Sequence, residues 1–369
     1  GFRVAAQEAD GYIGCCWRSM DRQRIKGALK LAKDLGHEQK TGMAQALNRY
    51  YDEMDAFPRN EKDIVIPKSA RDLGFDPDRK VVKASSFGWD AKNATACLQA
   101  AIDSGATTVH VRPQKGPWYI DSVLLRSNLR LVFHKGVKVL MDKASPKANR
   151  ECLFRVTDCE NVILEGEGTG ADGACLGGYA NYEERKAYCR DYGKSVIMLA
   201  NARNTVIRNL RLAESAEDGI FFGGLGRPST ETFVDNVVID SHFRQAMSIC
   251  NADGVYCRRV QFLNTRGNAP TAGIDFEPPL ENLLNTNVYL FDCTFANNTC
   301  RNSLNSLSGA AAYLSGGTLR RAHIVGNHVQ AGKYSGFSGG AVMVDGANAV
   351  VENCVIEKNF TTDLNESVA

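Results

Sequence analysis

Hydrophobic and polar positions recur in a fixed order along the C-terminal half of the chain. Three short segments share one pattern of alternating apolar positions, and Asp218, Gln245 and Ala272 begin them at a constant spacing of 27 residues. Polar turn residues follow each segment, and a run rich in valine, isoleucine and tyrosine follows each turn. A constant period of this length predicts a stacked repeat architecture.

The apolar runs inside each repeat predict strands. They are short, rich in Val, Ile, Phe and Tyr, and separated by Asn, Asp and Gly. None has the periodicity of an amphipathic helix, which argues against a helical solenoid. Several short strands in each repeat, stacked in parallel on those of the next, form a right-handed parallel β-helix. The sequence therefore predicts an all-β fold of this kind.

The register of the repeats assigns side chains to the interior or the exterior of the predicted β-helix. Stacked coils place equivalent residues about 4.8 Å apart along the axis. Successive side chains of a strand point to opposite faces, so alternate positions face inward. The inward columns are Ile220, Met247 and Ile274, and Phe222, Ile249 and Phe276. The outward column between them is Phe221, Ser248 and Asp275, continued by Tyr313 and Met343.

Two carboxylates share one strand of this outward surface. Asp275 and Glu277 flank the inward Phe276, so both should face outward with Cβ atoms roughly 7 Å apart. Like charges this close raise the pKa of at least one of the two carboxyl groups. A carboxyl group with a raised pKa and an ordinary carboxylate form the pair that cleaves glycosidic bonds, as general acid and as base or nucleophile. We therefore predict Asp275 and Glu277 as catalytic residues.

Other polar residues should gather on the same side of the coils. Asp218 lies two repeats before Asp275, about 10 Å along the axis, and is a candidate for the second catalytic carboxylate. Arg244 could hold a carboxylate or sulfate of a substrate through two parallel hydrogen bonds. The further substrate-binding candidates on this side are Gln245, His242, Asn251 and Tyr313.

Structural roles compete with these assignments. Asp218 precedes a glycine, a combination typical of turns. Arg244 could form an ion pair with Asp275 or Glu277 on the outer surface, and His242 could simply pack in a turn. Asparagines that follow the apolar runs are expected to form a hydrogen-bonded ladder in the turns. These asparagines are Asn264, Asn297, Asn327 and Asn359.

The segment before the repeats contains a series of recognisable motifs. They are Phe87-Gly88, the run Leu-Gln-Ala-Ala-Ile-Asp at 98–103, Val109-His-Val111, and the run from Leu125 to Gly136. In this order they resemble the opening of the pectin-lyase-like β-helix superfamily, which includes the polygalacturonases. The resemblance implies a right-handed parallel β-helix with a carbohydrate-active function. It also implies that a helix at 93–104 caps the first coil, as the ends of solenoids require.

The chain departs from the catalytic motifs of the polygalacturonase branch. That branch carries Asn-Thr-Asp, Asp-Asp, Gly-His-Gly and Arg-Ile-Lys motifs, and none of them occurs at a coil position of this chain. The resemblance therefore transfers neither catalytic residues nor pectin specificity. The lyase branch binds calcium through carboxylates on adjacent coils and uses an arginine or lysine as base. In that alternative Arg244 and Tyr313 would move the proton of a uronic acid, as in a lyase or an epimerase.

The rest of the chain divides into parts of different character. Residues 1–60 predict an N-terminal α-helical extension, 61–86 a polar linker, and 87–369 the β-helix. A polar and aromatic insertion between Gly166 and Tyr192 is either a wall of a substrate cleft or a surface excursion. The first interpretation adds Tyr182 and Arg185 to the substrate-binding candidates.

Composition narrows the possible partners. The 369 residues carry a formal net charge of +2 without a run of like charges, which gives no indication of nucleic-acid or membrane binding. No segment is apolar for long enough to span a membrane, and no zinc-binding spacing of Cys and His is present. The 12 cysteines fit small apolar residues of a coil interior. Disulfides between Cys152 and Cys159 or between Cys175 and Cys189 are the alternative.

The sequence as a whole predicts a glycoside hydrolase that acts on a polysaccharide or oligosaccharide without a cofactor. A uronate lyase or epimerase, with calcium in the lyase case, is the alternative. A non-catalytic glycan-binding or structural β-helix is the third hypothesis. The substrate class predicts a secreted, periplasmic or cell-surface protein. The N-terminal helices and the open end of the β-helix are the surfaces expected to contact another copy in a homo-oligomer.

Overall fold

A computed structural model shows how the repeats stack. It describes residues 30, 33–34, 61–142, 152–170, 172–178, 195–224, 227–267, 271–276, 285–301, 310–331, 340–344 and 349–363. Within them the strands pair in parallel into long sheets, and the chain runs repeatedly from one sheet to the next around a common axis. The predicted right-handed parallel β-helix is confirmed. Of residues 1–60 only Lys30, Lys33 and Asp34 are described, and they are helical; the predicted N-terminal extension otherwise lies outside the described residues.

The strands are short throughout. The first are β1 (Val81–Lys83), β2 (Thr108–Val111), β3 (Trp118–Ile120), β4 (Val123–Leu124), β5 (Leu129–Phe133), β6 (Lys138–Met141), β7 (Cys152–Thr157), β8 (Glu160–Gly166), β9 (Cys175–Gly177) and β10 (Ser195–Ala200). The middle strands are β11 (Arg203–Arg208), β12 (Arg211–Ala213), β13 (Ile220–Phe222), β14 (Ser229–Asp235), β15 (Val238–Asp240), β16 (Gln245–Ile249), β17 (Ala252–Arg258), β18 (Gln261–Leu263) and β19 (Ala272–Phe276). The last are β20 (Asn285–Phe291), β21 (Thr294–Ala296), β22 (Thr299–Arg301), β23 (Ala312–Leu314), β24 (Thr318–Arg320), β25 (His323–Val325), β26 (His328–Ala331), β27 (Val342–Val344), β28 (Val350–Glu352), β29 (Val355–Glu357) and β30 (Phe360–Asp363).

Three long sheets form the walls of the β-helix in the described residues. Sheet 1 contains β1, β2, β5, β8, β11, β14, β17, β20, β24 and β28. Sheet 2 contains β3, β6, β9, β12, β15, β18, β21, β25 and β29, and sheet 3 contains β4, β7, β10, β13, β16, β19, β23 and β27. A short sheet 4, of β22, β26 and β30, lies between sheets 2 and 3 in the last coils. From β2 to β27 the chain passes in each coil from sheet 1 to sheet 2 and then to sheet 3, with sheet 4 inserted in the last coils.

Left-handed residues allow the chain to turn the corner between sheets 1 and 2. Asn209, Asn236 and Asn353 each follow a strand of sheet 1 with φ between 52° and 54°. Asparagine tolerates this conformation better than most residues because its short side chain bonds nearby backbone. In two adjacent coils Asn236 Nδ2 donates to Asn209 Oδ1 at 2.8 Å. The abundance of asparagine in the sequence therefore has a direct structural cause.

The predicted interior columns are confirmed. Ile220, Met247 and Ile274 pair in register across β13, β16 and β19 and are fully buried. The second column, which contains Phe222, is in register as well. In sheet 2, the Phe262 and Phe295 rings stack with centroids 4.6 Å apart. Equivalent side chains thus fill the interior one above another.

A helix closes the N-terminal end of the stack. The helix α1 (Thr95–Asp103) buries Cys97, Leu98, Ala101 and Ile102, close to the predicted range of 93–104. Gln99 extends from it to the exposed edge of β4, where its Oε1 accepts from the Leu124 backbone N at 2.9 Å and its Nε2 donates to the Leu124 O at 3.1 Å. The Gln99 amide thus satisfies backbone groups that a preceding strand would otherwise pair, as an edge strand requires.

The segment predicted as a linker differs from that expectation. Its first part packs along the outer surface of sheet 1, where apolar side chains of 64–75 cover an outer cluster that includes the stacked rings of Phe233, Tyr256 and Tyr289. Glu61 anchors its start through ion pairs with Arg320 and Arg321. Its last part forms β1, the first strand of sheet 1. The apolar residues of this segment are too few to predict a strand or helix, but they are enough to cover an aromatic surface.

The asparagine ladder contains the predicted Asn327 and Asn359, but it contains Asn298 where Asn297 was predicted. Asn298, Asn327 and Asn359 form it, and each donates from Nδ2 to a backbone carbonyl of the coil before, at 2.9 Å. Asn264 and Asn297 instead adopt left-handed φ values of 54° and 56° at the turn itself. Both positions are typical of asparagine, which is why composition alone could not separate them.

The structure excludes the alternative of disulfides. Cys159 and Cys175 are free thiols, which excludes both the Cys152–Cys159 and the Cys175–Cys189 pair. Burial raises the pKa of the Cys159 thiol to about 11 and that of Cys293 to about 12. Cys293 is 1% exposed, between strands of sheets 1 and 2. The interior packing that the sequence predicts for Cys293 is confirmed.

The described C-terminal coil leaves apolar side chains uncovered. Val351 and Ile356 continue the inward columns of Leu319 and Ile324. They are nevertheless 36% and 53% exposed. The participation of this end in a homo-oligomer stays a prediction.

A histidine pair on the outer surface of sheet 1 predicts acid sensitivity. His110 Nδ1 and His134 Nε2 share a hydrogen bond of 2.8 Å, which requires at least one neutral ring. Burial, followed by the nearby His134, Arg112 and Arg130, lowers the pKa of His110 below its ordinary value of 6.5. Because the folded state disfavours the charged ring, this contribution to stability is complete above the ordinary pKa and is lost as the pH falls below it.

We therefore expect the wild-type protein to lose more stability than His110→Gln between about pH 7 and about pH 5. Denaturant midpoints measured across this range give the comparison. Parallel curves for the two proteins would contradict the assigned role of His110.

Candidate functional site

The candidate site lies on the outer surface of sheet 3. One outward column crosses this sheet from end to end, and its residues pair rung by rung. In order they are Leu124, Arg155, Met198, Phe221, Ser248, Asp275, Tyr313 and Met343. The part predicted from the sequence, Phe221 to Met343, is confirmed. Exposure changes along it: Leu124 is 50% exposed, whereas Ser248, Asp275 and Tyr313 are almost completely buried.

Asp275 is the carboxylate at the centre of the buried part of this column. It is the penultimate residue of β19, lies between the inward side chains of Ile274 and Phe276, and is 3% exposed. Its Oδ2 accepts a hydrogen bond from Nε2 of Gln245, one coil earlier. A carboxylate removed from water in this way needs hydrogen-bond donors or a cation to offset the lost hydration.

Gln245 connects the carboxylates of two coils. Its backbone N donates to Asp218 Oδ1 at 3.1 Å, while its side-chain amide donates to Asp275. The side chain is fully buried, and its Oε1 has no hydrogen-bond partner within the described residues. A buried acceptor without a donor is unfavourable unless another molecule supplies one. The structure therefore brings together three of the candidates: Asp218, Gln245 and Asp275.

Arg244 pairs with Asp218 across adjacent coils. The Arg244 Nη1 to Asp218 Oδ2 distance is 3.0 Å, and the side chains are 23% and 1% exposed. The sequence left open an ion pair of Arg244 with Asp275 or Glu277. Within the described residues, which do not include Glu277, the structure pairs Arg244 with Asp218. This follows from the stacking, because residues 218 and 245 occupy equivalent places and Arg244 immediately precedes the second of them.

His242 occupies a rung of the turn ladder. Its Nδ1 accepts from the Ser215 backbone N at 3.3 Å, and its Nε2 lies 3.2 Å from Leu212 O, to which it donates. Asn298 makes the equivalent pair of contacts in a later coil, with Thr265 N at 3.1 Å and Phe262 O at 2.9 Å. The imidazole thus bonds the backbone much as the asparagine amides do, and its position favours a structural role.

This equivalence predicts that asparagine can replace His242. We expect His242→Asn to change the free energy of unfolding by about 1 kcal/mol or less, and His242→Leu to lower it by about 2 kcal/mol, because leucine leaves both buried backbone groups unpaired. Denaturant unfolding of the two variants tests the difference. A loss of activity without a loss of stability in His242→Asn would instead support substrate binding by this histidine.

The remaining candidates fall into two groups. Asn251 is buried at the turn after β16, where Nδ2 donates to Gly224 O at 3.3 Å, and Tyr313 is the rung next to Asp275. Glu277, Tyr182 and Arg185 lie outside the described residues. Among the described residues, no group of three or more His, Cys, Asp or Glu side chains could hold a metal ion.

Three outward residues of the column, Leu124, Arg155 and Met198, have no counterpart in the sequence prediction. They continue the column beyond Phe221. The insertion between β9 and β10 interrupts the constant period, so the earlier coils cannot be aligned with the later ones by spacing alone. The alternation of apolar and polar residues in β7 was the only available signal for Arg155.

Comparisons with known proteins give distant structural similarities. No family model matches the chain, and no curated protein is significantly similar to it in sequence. An iota-carrageenase from A. fortis is 16% identical over 75% of this chain and 59% of its own length, with a TM-score of 0.48. The surface protein and adhesin PfbA of Streptococcus pneumoniae is 12% identical over 77% of this chain and 100% of its own length, with a TM-score of 0.43.

A third solved structure is a tailspike protein of the Acinetobacter baumannii bacteriophage Fri1, described as a capsular polysaccharide depolymerase. It is 14% identical over 77% of this chain and 64% of its own length, with a TM-score of 0.36. The three identities and TM-scores are low, and the three proteins differ in function. These similarities therefore carry no information about the reaction of this chain.

Proposed function

We propose that the protein is a carbohydrate-active enzyme, a glycoside hydrolase that cleaves a polysaccharide or oligosaccharide at Asp275. The observation that carries this proposal is the burial of an outward carboxylate on a strand of the sheet, oriented by the amide of Gln245. A buried carboxylate lowers stability unless it is well compensated, and sequence positions that oppose the needs of the fold are concentrated at functional sites. The neighbouring positions of the same outward column are occupied by uncharged residues, Ser248 and Tyr313.

Asp275 suits the role of base or nucleophile. An amide N–H bonds an ionised carboxylate more strongly than a neutral carboxyl group, so the bond from Gln245 Nε2 favours the form that a base or nucleophile needs. As a base, Asp275 would take a proton from the water that attacks the anomeric carbon. The glycosidic bond breaks, the water oxygen remains on the anomeric carbon, and the leaving oxygen receives a proton from a general acid.

The general acid in this proposal is Glu277. Its position two residues after Asp275 predicts a side chain on the same face. Asp218 suits that role less, because it is 1% exposed and already accepts from Arg244 and from the Gln245 backbone. We infer that Asp218 positions Gln245, which in turn positions Asp275. The unpartnered Gln245 Oε1 would accept a hydrogen bond from the attacking water or from a sugar hydroxyl.

The geometry does not favour a uronate lyase or epimerase. In that reaction Arg244 would serve as the base, and a guanidinium paired with the buried Asp218 is strongly held in its charged form. Arg244 in the hydrolase has a simpler role, which is to compensate the buried charge of Asp218.

Hydrolysis by this pair requires no cofactor. The expected partner is a glycan, and a protein acting on such polymers would be secreted, periplasmic or at the cell surface. No helix in the described part of the chain is long and apolar enough to cross a membrane.

The test is incubation of the protein with neutral, uronate-containing and sulfated glycans. New reducing ends and the ultraviolet absorbance of unsaturated uronides are measured in the same samples. A hydrolase produces reducing ends without absorbance, whereas absorbance that rises with the reducing ends would identify a lyase. Binding of a glycan without any product would support the non-catalytic β-helix.

A further inference from the structure

Part of the outward column of sheet 3 is open to solvent. Leu124 is 50% exposed, Arg155 is exposed, and Met198 and Phe221 are partly exposed. The column closes at Ser248, which is fully buried, and at Asp275. An accessible surface of apolar side chains and one cation therefore leads along the sheet to the proposed catalytic carboxylate.

The Phe221 ring lies along its strand. A Cβ atom added to Gly223, two residues further on the same face, would lie 2.2 Å from Cε1 and 2.6 Å from Cζ of this ring. Only the absence of a side chain at position 223 allows the ring to lie there. A ring held down in this way leaves its other side available to a flat apolar partner.

Arg155 stands two coils from Phe221 on the same column, with Met198 between them. It is exposed and has no ion-pair partner within the described residues. The nearest acidic residue of the column is Asp275, four rungs or roughly 19 Å away. A cation placed there is available to an anionic group of a bound molecule.

We propose that Phe221 and Arg155 form a binding subsite for an anionic polysaccharide. The Phe221 ring stacks on the C–H face of one sugar unit, and the Arg155 guanidinium pairs with a carboxylate or sulfate of a unit further from Asp275. This inference rests on the proposed hydrolase function, because it places the cleaved bond at Asp275 and the subsite on one side of it. The distance of several rungs fits a chain of several sugar units.

Binding is measured with Asp275→Asn, which should bind glycans without cleaving them. Affinity electrophoresis compares gels containing polygalacturonate with gels containing its carboxyl-reduced, neutral form. A second pair of gels contains a sulfated galactan and its desulfated form. We expect stronger retardation by at least one anionic polymer than by its neutral counterpart, and a decrease of this difference with added salt. The two pairs distinguish carboxylate from sulfate as the recognised group.

Three further changes in the Asp275→Asn background test the two side chains. Phe221→Ala is expected to weaken binding about tenfold. Gly223→Ala should weaken it to a similar extent, because the new methyl group displaces the ring without removing it. Phe221→Tyr retains the ring and should bind almost normally.

Arg155→Gln is expected to weaken binding of the anionic polymer about fivefold and to leave the neutral polymer unaffected. Arg203→Gln is the matched control, since Arg203 is an exposed arginine of sheet 1. Circular dichroism establishes that each variant is folded.

Several results would overturn the proposal. They are equal retardation by anionic and neutral polymers, no retardation in any gel, unchanged binding in Phe221→Ala, and an equal effect of Arg155→Gln and Arg203→Gln. Failure of the catalytic proposal gives a different result. In that case the expected binding pattern is observed, but the wild-type protein releases no reducing ends.

Discussion

Replacement of Asp275 by asparagine is expected to lower the rate of glycan cleavage by about 10³-fold while the β-helix remains folded. Asparagine has nearly the same shape, and its Oδ1 can still accept from Gln245 Nε2, so the local packing should survive. It cannot take a proton from water or attack the anomeric carbon. The measurement is kcat/KM for the wild type and the variant on whichever glycan the wild-type protein cleaves.

The matched control for this prediction is Glu160→Gln. Glu160 carries an exposed carboxylate in β8 of sheet 1, away from the sheet 3 column. The Glu160→Gln variant should cleave the glycan at the wild-type rate. Wild-type kcat/KM in Asp275→Asn would exclude Asp275 as the catalytic carboxylate, without affecting the description of the fold.

Replacement of Arg244 by methionine is expected to lower the free energy of unfolding by about 3 kcal/mol. The change removes the guanidinium and leaves the Asp218 carboxylate, which is 1% exposed, without its ionic partner. Methionine keeps most of the aliphatic volume, so the lost charge is the main effect. Denaturant unfolding gives the size of the decrease.

A double-mutant cycle with Asp218→Asn isolates the ion pair. The double variant should be less destabilised than the sum of the single variants predicts, by about 2 kcal/mol, because its neutral asparagine no longer needs the cation. If Arg244 binds substrate instead, Arg244→Met would raise KM and leave the stability unchanged. Additive single effects would likewise contradict the assigned role of the pair.

The architecture could be predicted because two periodicities agree. The constant spacing of Asp218, Gln245 and Ala272 gives the coil length, and strand alternation then gives the facing of each position. Together they placed Asp275 outward, beside Ser248 and Tyr313, and the pairing of β16, β19 and β23 confirms it. This part of the site can therefore be predicted from strand alternation and the repeat spacing alone.

Other features depend on contacts that repetition does not encode. His242 is a substrate-binding candidate in the sequence, yet it bonds backbone atoms of the preceding coil. Asn297 and Asn298 are adjacent and both typical of turns, but only Asn298 joins the ladder. The place of Arg155 in the outward column could not be predicted, because an insertion of irregular length separates its coil from the regular repeats. In each case the decisive information is which coil lies next to which.

The central claim is hydrolysis at Asp275, and the most direct test is the origin of the oxygen in the product. Cleavage is carried out briefly in water enriched in oxygen-18, and the released fragments are examined by mass spectrometry, with unlabelled product in the same water as control for exchange. Hydrolysis predicts one solvent oxygen at each new reducing end, formed by the wild-type protein and not by Asp275→Asn. Fragments that carry no solvent oxygen, or labelled fragments formed equally well by Asp275→Asn, would contradict the claim.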